Sequence, residues 1–416
     1  MLIFLTIGMC VLYDVTQIIC KENIYRPSLL FSLVWALVLT LYSFKLFDLP
    51  TINDGTILII CSGICAFFIG SFLSKNCHKR IVIANHELFN KTIKEYALIP
   101  MIVVFFMIMI IPVMRSIVLL ISGSSLYTIR YSLQNDILGT GVITILFNYY
   151  CEPFLTFYTV YSVANLFSSN RKIRNLIISI VAIIFMTIVS GGRFFIFYLI
   201  GALGVCFMIY RKNIDYKRIQ ENKKILKIAK LLITIATIII VIITINRGSE
   251  IGETIYVYLC GGVPFLEHII ELFNQRTNGA ATLYGFLRPI FVIFRKVGIC
   301  GFPTWLENIE KIFLSIDNPY YLAPGILFNS FSTSFFAPYL DGGIIGLSIF
   351  YLFLGFFCES VYKRLDITNE YSVSWFLLIS LIIILSFFRL TITHYSFSLA
   401  FVYLIITHKY IEINQK

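Results

Sequence analysis

Long apolar runs alternate with short polar connections along most of this chain, and the alternation predicts its architecture. A helix needs about 20 apolar residues to cross the hydrocarbon core of a bilayer. Eleven runs approach that length, and each of them predicts a membrane-spanning helix. They lie near residues 2–20, 28–47, 56–73, 98–121, 141–167, 173–190, 194–210, 227–245, 341–360, 373–388 and 391–408. The pattern therefore predicts an all-α polytopic membrane protein.

One long segment, residues 246–340, interrupts this alternation, because it is neither a clean span nor a short turn. It divides the chain into an N-terminal membrane bundle (1–245, eight predicted spans), the long segment itself, which we expect to contain short helices, and a C-terminal membrane bundle (341–416, three predicted spans). Within the segment, the run Thr254–Phe273 is too interrupted to span a membrane and suits a position at a membrane interface.

The composition agrees with a membrane protein. Of the 416 residues, 58% are hydrophobic and 13% are charged, whereas a soluble domain is about half apolar and about a quarter charged. The first run lacks a preceding basic region and a clear cleavage site, so we expect a retained span. Most of the ten cysteines fall in predicted spans, without metal-ligand spacing. Cys260 and Cys300 both lie in the long segment, where a disulfide between them is one of two open alternatives.

The distribution of lysine and arginine predicts the orientation. Connections on one side of the predicted spans hold 22 of the 33 basic residues, and an excess of positive charge marks the cytoplasmic side. The N-terminus and the long segment are then outside, and the C-terminus is cytoplasmic. The net charge of +11 is mostly this topology signal. It does not indicate nucleic-acid binding, since the basic residues are divided among short connections without a binding motif.

The outer side differs from the cytoplasmic side in residue type, with three lysines and eight arginines. Lysine is sufficient for topology, whereas the planar guanidinium can hold a phosphate through two hydrogen bonds. The bias therefore predicts an oxyanion ligand on the outer face. The alternative is that these arginines extend toward the membrane interface from lipid-facing positions.

Two short outer connections carry candidate anion-binding arginines. Ser190-Gly191-Gly192-Arg193 separates two predicted spans, so Arg193 is expected beside the exposed N–H groups of a helix start, where anions bind. The alternative is a tight hairpin with an interfacial arginine. Arg130 is framed by tyrosines in the segment Tyr127–Tyr131, which suits contact with a phosphate or a sugar. The alternative there is an interfacial aromatic belt.

The long segment holds further candidates. Arg276, Arg288 and Arg295 could bind an anion, and residues 288 and 295 share one face if the intervening chain is helical. His268 is a candidate general base, because histidine titrates near neutral pH. A lone histidine is more often structural, and that alternative stays open. Glu253 is a weaker candidate for the same role.

The segment Ala337–Gly343 and the connection between the last two spans complete the set. Tyr339 is a candidate for substrate contact, and Asp341 is either a second candidate base or a cap of the next helix. Arg389 and His394 lie in a very short outer connection, where a charge close to lipid is a functional candidate by default. Candidate bases are ranked His394, His268, Asp341 and Glu253.

Three of these segments carry a resemblance to a known family: the arginine in Leu126–Tyr131, Gly191-Gly192-Arg193, and the stretch Phe335–Arg364, which ends a loop, continues through Asp-Gly-Gly and forms a span with a basic end. Here the chain resembles the bacterial Wzy-type O-antigen polymerases, which polymerise oligosaccharide repeat units. The resemblance covers most of the chain in topology and only these short segments in sequence.

The resemblance implies a membrane-embedded glycosyltransferase of the bacterial inner membrane. Such an enzyme joins repeat units carried on undecaprenyl pyrophosphate at the periplasmic face, for O-antigen in lipopolysaccharide or a related surface polysaccharide. Its implied partners are the lipid-linked glycans and the lipid bilayer, with a chain-length regulator membrane protein as a further candidate. We expect arginines to stabilise the pyrophosphate leaving group without a metal or cofactor.

Two other functions remain alternatives. A ligase that moves glycan from the same carrier onto an acceptor would have a similar outer face. A flippase or transporter of lipid-linked oligosaccharides would be expected to show internal repeats and several charges near mid-membrane. This chain shows no convincing repeat, and Asp14 and Glu152 are its only candidates for charges near mid-membrane. For both acids, internal pairing is the favoured interpretation.

Overall fold

The molecule is mostly helical, as the apolar pattern predicts. The structure is a computed structural model that describes residues 1–81, 91–123, 138, 141–168, 172–212, 227, 230–231, 234, 251–273, 275–328 and 332–410. The first part of the chain contains α1 (Leu2–Ile19), α2 (Pro27–Ser43), α3 (Asp54–Ile81), β1 (Lys91–Ile93), α4 (Glu95–Ile121), α5 (Val142–Leu146), a π-helical turn (Phe147–Cys151), α6 (Glu152–Phe167), α7 (Ile173–Ser190) and α8 (Phe194–Lys212).

The second part begins with four helices and a β-hairpin. Its elements are α9 (Ile251–Cys260), α10 (Gly262–Leu272), α11 (Tyr284–Val297), α12 (Thr304–Ile316), β2 (Tyr320–Ala323), β3 (Ile326–Phe328), α13 (Phe336–Lys363), α14 (Glu370–Ile384), a 3-10 turn (Thr391–Thr393), α15 (Tyr395–Ile406) and β4 (His408–Tyr410). Two antiparallel pairs, β1 with β4 and β2 with β3, are the sheets of the described residues.

Six of the described helices are long and apolar enough to cross a membrane, and the bent pair α9–α10 makes a seventh if its 47° break is counted within one span. Three shorter apolar helices, α2, α14 and α15, lie at predicted spans. The predicted span 227–245 lies almost entirely outside the described residues. The membrane character of the chain is thus confirmed, while the count of eleven spans stays a prediction.

The chain forms two compact units that cut across the three predicted regions. The first contains residues 1–82, 241–363 and 379–394, so the long segment belongs with the first three helices. The second contains residues 83–240, 364–378 and 395–416.

The core of the first unit is the contact between α3 and α13, where the two backbones approach closely. A Cβ atom added at Gly70 would lie 2.0 Å from the carbonyl oxygen of Leu352, and one added at Gly355 would lie 2.2 Å from that of Phe67. Only glycine fits such an approach. At the start of α13, the helix is broken at Gly342 and Gly343, and Gly343 has φ 62° and ψ −152°.

The two ends of the first unit are held by different contacts. At one end, buried Arg26 pairs with buried Glu359 at 2.8 Å, and Lys363 Nζ donates to the carbonyl of Ser74 at 2.6 Å. At the other end, α9 and α10 pack near the end of α2 and the following loop. Tyr256 Oη donates to the carbonyl of Leu41 at 2.8 Å, and Glu267 accepts from the N–H of Asn53 at 2.9 Å.

The second unit is built around α6, whose side chains from Pro153 to Phe167 are all buried. It packs against α7, α8 and α15. Phe157 of α6 stacks on Tyr403 of α15 with ring centroids 6.2 Å apart, and Phe154 meets the same ring edge-on at 5.9 Å. At one end, Lys172 pairs with Glu95 beside the β1–β4 pair. Aromatic stacking on an apolar helix is the expected way to fill such a core.

Candidate functional site

The end of the long segment is joined to the connection between α14 and α15 by backbone hydrogen bonds. The N–H of Thr333 donates to the carbonyl of Phe388 at 3.0 Å, and the N–H of Ser334 donates to the carbonyl of Ser386 at 2.7 Å. Thr333 and Arg389 also form a parallel β-bridge. This pairing joins two stretches that lie far apart in sequence and fixes the position of Arg389.

Arg288 and Arg389, hereafter the arginine pair, are both held by carboxylates of the same helix region. Arg288 donates from Nε at 3.0 Å and from Nη2 at 2.6 Å to one oxygen of Glu310. Arg389 Nη2 lies 3.6 Å from a carboxylate oxygen of Asp317. Glu310 lies on α12, and Asp317 directly follows its last residue. The two acids are seven residues apart, a spacing that places them on one helix face.

His394 lies near the arginine pair. The 3-10 turn Thr391–Thr393 packs against α11, which carries Arg288, and leads directly into His394. Burial, followed by the positive charges of Arg389 and Arg288, lowers the pKa of His394 well below its usual range. The imidazole is therefore neutral near pH 7 and can accept a hydrogen bond from a hydroxyl group.

Asp341 acts in the structure as an anchor for the turn that precedes α11. Its Oδ1 accepts hydrogen bonds from the Thr277 hydroxyl and from the N–H of Ala281 at 2.9 Å. Its Oδ2 accepts from the N–H of Thr282 at 2.9 Å. Three donors on one buried carboxylate favour a structural role over a role as base. That role differs from the predicted cap of the next helix, because Asp341 lies inside α13 and holds the turn before α11. Since the turn leads into α11, Asp341 also positions the helix that carries Arg288.

Arg276 and Tyr339 contact each other beside this anchor. Arg276 Nη1 donates to the backbone carbonyl of Tyr339 at 2.9 Å, and its guanidinium lies 5.2 Å from the centre of the Tyr339 ring. A Cβ atom added at Gly343 would lie 3.1 Å from Arg276 Nη2. Arg276 therefore packs over the break in α13, and its proposed substrate contact stays a prediction.

Other candidates of the long segment lie elsewhere in the first unit. His268 on α10 stacks on the ring of Tyr320, with centroids 4.0 Å apart, an arrangement that favours the structural alternative. Glu253 is half-buried on α9. Arg295 is exposed in the last turn of α11, seven residues after Arg288, as the predicted helical spacing requires. Cys260 and Cys300 are both free thiols, the first buried and the second exposed, so the disulfide alternative is wrong.

Arg193 belongs to the second unit, in a tight turn between α7 and α8. Gly191 ends α7 in the left-handed conformation with φ 59°. The Ser190 hydroxyl accepts the N–H of Gly192 at 3.1 Å, and the carbonyl of Arg193 accepts the N–H groups of Ile196 and Phe197 in the first turn of α8. The glycine turn is as the sequence predicts, whereas anion binding stays a prediction. Arg130 lies outside the described residues.

Glu310 and Asp317 are the members of this cluster that sequence reasoning missed. Both lie in a stretch whose apolar residues have helical spacing, and it follows the basic stretch that contains Arg288. The available signal was two acids at a spacing of seven after a helix with arginines at the same spacing. Nothing in the sequence indicated which arginine each acid would meet.

Comparisons with known proteins add no relative. No protein-family model, no curated protein and no solved structure matches the chain. Among the residues that the structure describes, no three His, Cys, Asp or Glu side chains are grouped closely enough to hold a metal ion.

Proposed function

We propose that the protein is a membrane-embedded glycosyltransferase that polymerises oligosaccharide repeat units carried on undecaprenyl pyrophosphate, at the periplasmic face of the bacterial inner membrane. The observation that carries the proposal is the placement of Arg288 and Arg389, from separate parts of the chain, near His394. Two guanidinium groups suit the two phosphates of the carrier lipid, and the neutral imidazole suits an acceptor hydroxyl. The reaction is proposed to need no metal.

The transfer replaces one bond to the anomeric carbon by another. The bond between this carbon and the pyrophosphate oxygen breaks, and undecaprenyl pyrophosphate leaves with the electron pair. A hydroxyl oxygen of the incoming repeat unit forms the new glycosidic bond and loses its proton. Negative charge grows on the pyrophosphate, and preorganised guanidinium groups stabilise that charge in the transition state.

His394 is proposed to receive the proton. Burial and then the arginine pair lower the pKa of His394, which makes the imidazole a weak base. A bound pyrophosphate would bring negative charge that offsets the two guanidinium charges, which would raise the pKa toward the ordinary value of about 6.5. The imidazole would thus become a stronger base when the donor is present.

The first unit supports the proposed orientation through the placement of its charges. The basic residues Arg26, Lys75 and Lys363 gather at one end, where they pair with acids or carbonyls near the ends of α1, α3 and α13. The long segment packs near the opposite end of α2. This separation supports a cytoplasmic first end and an outer long segment.

Substitution of the arginine pair tests the proposal. Arg288→Ala and Arg389→Ala should each abolish long surface glycan while the protein stays in the membrane. Arg→Lys at either position should restore little of the long surface glycan, because an ammonium group is a point charge and does not reproduce the two parallel N–H donors of the planar guanidinium. The matched control is Lys311→Ala, which removes an exposed cation of α12 that pairs with Glu307 at 3.0 Å, outside the arginine pair. Glycan length is read on gels, and purified protein is assayed for extension of lipid-linked repeat units.

The outcomes separate the alternatives. Loss of a polymerase leaves single repeat units on the surface, whereas loss of a ligase leaves no repeat-bearing glycan. Purified protein that cannot extend lipid-linked repeats, yet moves them across a bilayer, would indicate a transporter. Full polymer length in both alanine variants would refute a role of the arginine pair.

A further inference from the structure

The helix α11 presents two chemically different faces, and its apolar face is the exposed one. The exposed apolar side chains are Leu283, Ile290, Ile293, Phe294 and Val297, followed by Ile299 beyond the helix. The spacing of 290, 293, 294 and 297 places them on one stripe of the helix surface. Ile293 is 47% exposed, Val297 68% and Ile299 65%.

The opposite face of α11 is the one held by the protein. Tyr284, Gly285 and Pro289 are buried, and the Tyr284 ring packs on Phe313 of α12 with centroids 5.0 Å apart. The ion pair between Arg288 and Glu310 lies on this side as well. A surface helix of a soluble protein turns its apolar stripe inward, and here the stripe points away from the contacts that hold the helix.

The bilayer is the partner that fits this stripe. At 14 residues, α11 is only about 21 Å long, which is too short to cross a hydrocarbon core of about 30 Å. Exposed Arg295 and Lys296 in its last turn suit anionic lipid headgroups. Trp305, 44% exposed on α12, contacts Phe291 of α11 with centroids 5.7 Å apart. Tryptophan favours the membrane–water interface.

We infer that α11 lies in the plane of the membrane surface, with the Leu283–Val297 stripe inserted among the acyl chains of an anionic bilayer. This inference does not depend on the proposed reaction. It has one consequence for the site: Arg288, on the other face of the same helix, is held near the depth of lipid phosphate groups. A lipid-linked pyrophosphate arriving within the membrane would meet that arginine without leaving the headgroup layer.

Depth-dependent quenching in the full-length protein tests this inference. Exposed Cys20 and Cys300 are first replaced by serine. Ile293→Cys and, as the matched control, Lys296→Cys are then labelled with a polarity-sensitive fluorophore. The protein is placed in nanodiscs of phosphatidylethanolamine and phosphatidylglycerol, with or without lipid that carries a nitroxide near the top of its acyl chain. The background without an added cysteine corrects for labelling of native thiols.

The expected result is several-fold stronger quenching by the nitroxide lipid at position 293 than at position 296, and stronger quenching by aqueous iodide at 296. Equal iodide quenching at both positions would overturn the inference, because the stripe would then face water. A blue-shifted fluorophore at 293 without lipid quenching would also overturn it, since a protein surface, such as a second copy of this chain, would then cover the stripe. The result is independent of glycan transfer, so loss of that activity does not affect it.

Discussion

Two regions of the first unit are held together by opposite kinds of contact. Between α3 and α13, the backbones meet at Gly70 and Gly355, and no side chain separates them. Between α11 and α12, carboxylates hold guanidinium groups while apolar side chains stay exposed. The first contact permits one arrangement. The second consists of charges that can exchange partners, which is what a site for an anionic ligand requires.

The largest effect is expected where the backbones meet. Gly70→Leu would place a Cβ atom 2.0 Å from the carbonyl oxygen of Leu352, and backbone atoms cannot yield locally. Gly355→Leu has the same problem at 2.2 Å from Phe67. We expect destabilisation of about 4 kcal/mol or more, in the exceptional range for a single substitution. The measurement is the yield of monodisperse protein extracted from membranes.

Gly204→Ala is the matched control for this prediction. Gly204 lies within α8, and an added Cβ atom there meets no atom within 4 Å. We expect normal yield, with a slight gain from the higher helix propensity of alanine. Normal yield of Gly70→Leu would show that α3 and α13 can separate, and the contrast between the two regions would disappear.

The contact between α3 and α13 shows which features of the fold follow from the sequence and which do not. The apolar runs predicted both helices, because the period and length of such runs follow from the thickness of the bilayer. The contact itself could not be predicted. Gly70 and Gly355 allow the two backbones to approach closely, and that role appears only when α3 and α13, which are distant in sequence, are packed together. For the arginine pair, residue type identified Arg288 and Arg389, whereas Glu310 and Asp317 needed the fold.

A second large effect is expected at the anchor of the long segment. Asp341→Ala would leave the Thr277 hydroxyl and the N–H groups of Ala281 and Thr282 without their acceptor. Hydrogen bonds to a charged group contribute about 1.5–3 kcal/mol each. We expect the turn before α11 to detach, which limited proteolysis would detect as new cleavage near residues 277–283. Polymer should be lost with it, because α11 carries Arg288.

Two milder substitutions should detach the turn before α11 less completely. Asp341→Asn keeps one acceptor oxygen, and Thr277→Val removes only the hydroxyl donor, so both should be cleaved more slowly than Asp341→Ala. A protease-resistant Asp341→Ala protein without polymer would instead favour the catalytic role first considered for Asp341. The test therefore separates positioning from proton transfer at one residue.

A smaller effect is expected at Glu310, which we assign as a positioning residue for Arg288. Glu310→Ala removes the acceptor that holds both Nε and Nη2 of the guanidinium. We expect about a tenfold loss in the rate of repeat-unit extension, which corresponds to about 1.4 kcal/mol in the barrier. Glu310→Gln should retain most of the rate, because its amide oxygen can still accept a hydrogen bond from the guanidinium of Arg288.

Glu307→Ala is the control on the same helix, since Glu307 is about half-exposed and pairs with Lys311 instead of with an arginine of the pair. It should leave the rate unchanged. A faster rate in Glu310→Ala than in the parent would reverse the assignment. Glu310 would then compete with the substrate for Arg288, and the ion pair between them would inhibit the reaction.

The smallest effect concerns His394 and pH. Its pKa is lowered in the folded protein, first by burial and then by Arg389 and Arg288. Below about pH 6.5 the unfolded chain therefore binds a proton that the folded protein does not bind, and stability falls as the pH decreases. Glu310 and Asp317 face the same cluster and are present in both proteins, so the difference between the two proteins reports on His394. We expect the Tm of the parent to fall more between pH 7.5 and 5.5 than that of His394→Asn.

An identical fall in both proteins would show that His394 is solvated and free to protonate. The arginine pair would then not act on it, and the proposed gain in basicity on binding pyrophosphate would lose its physical cause.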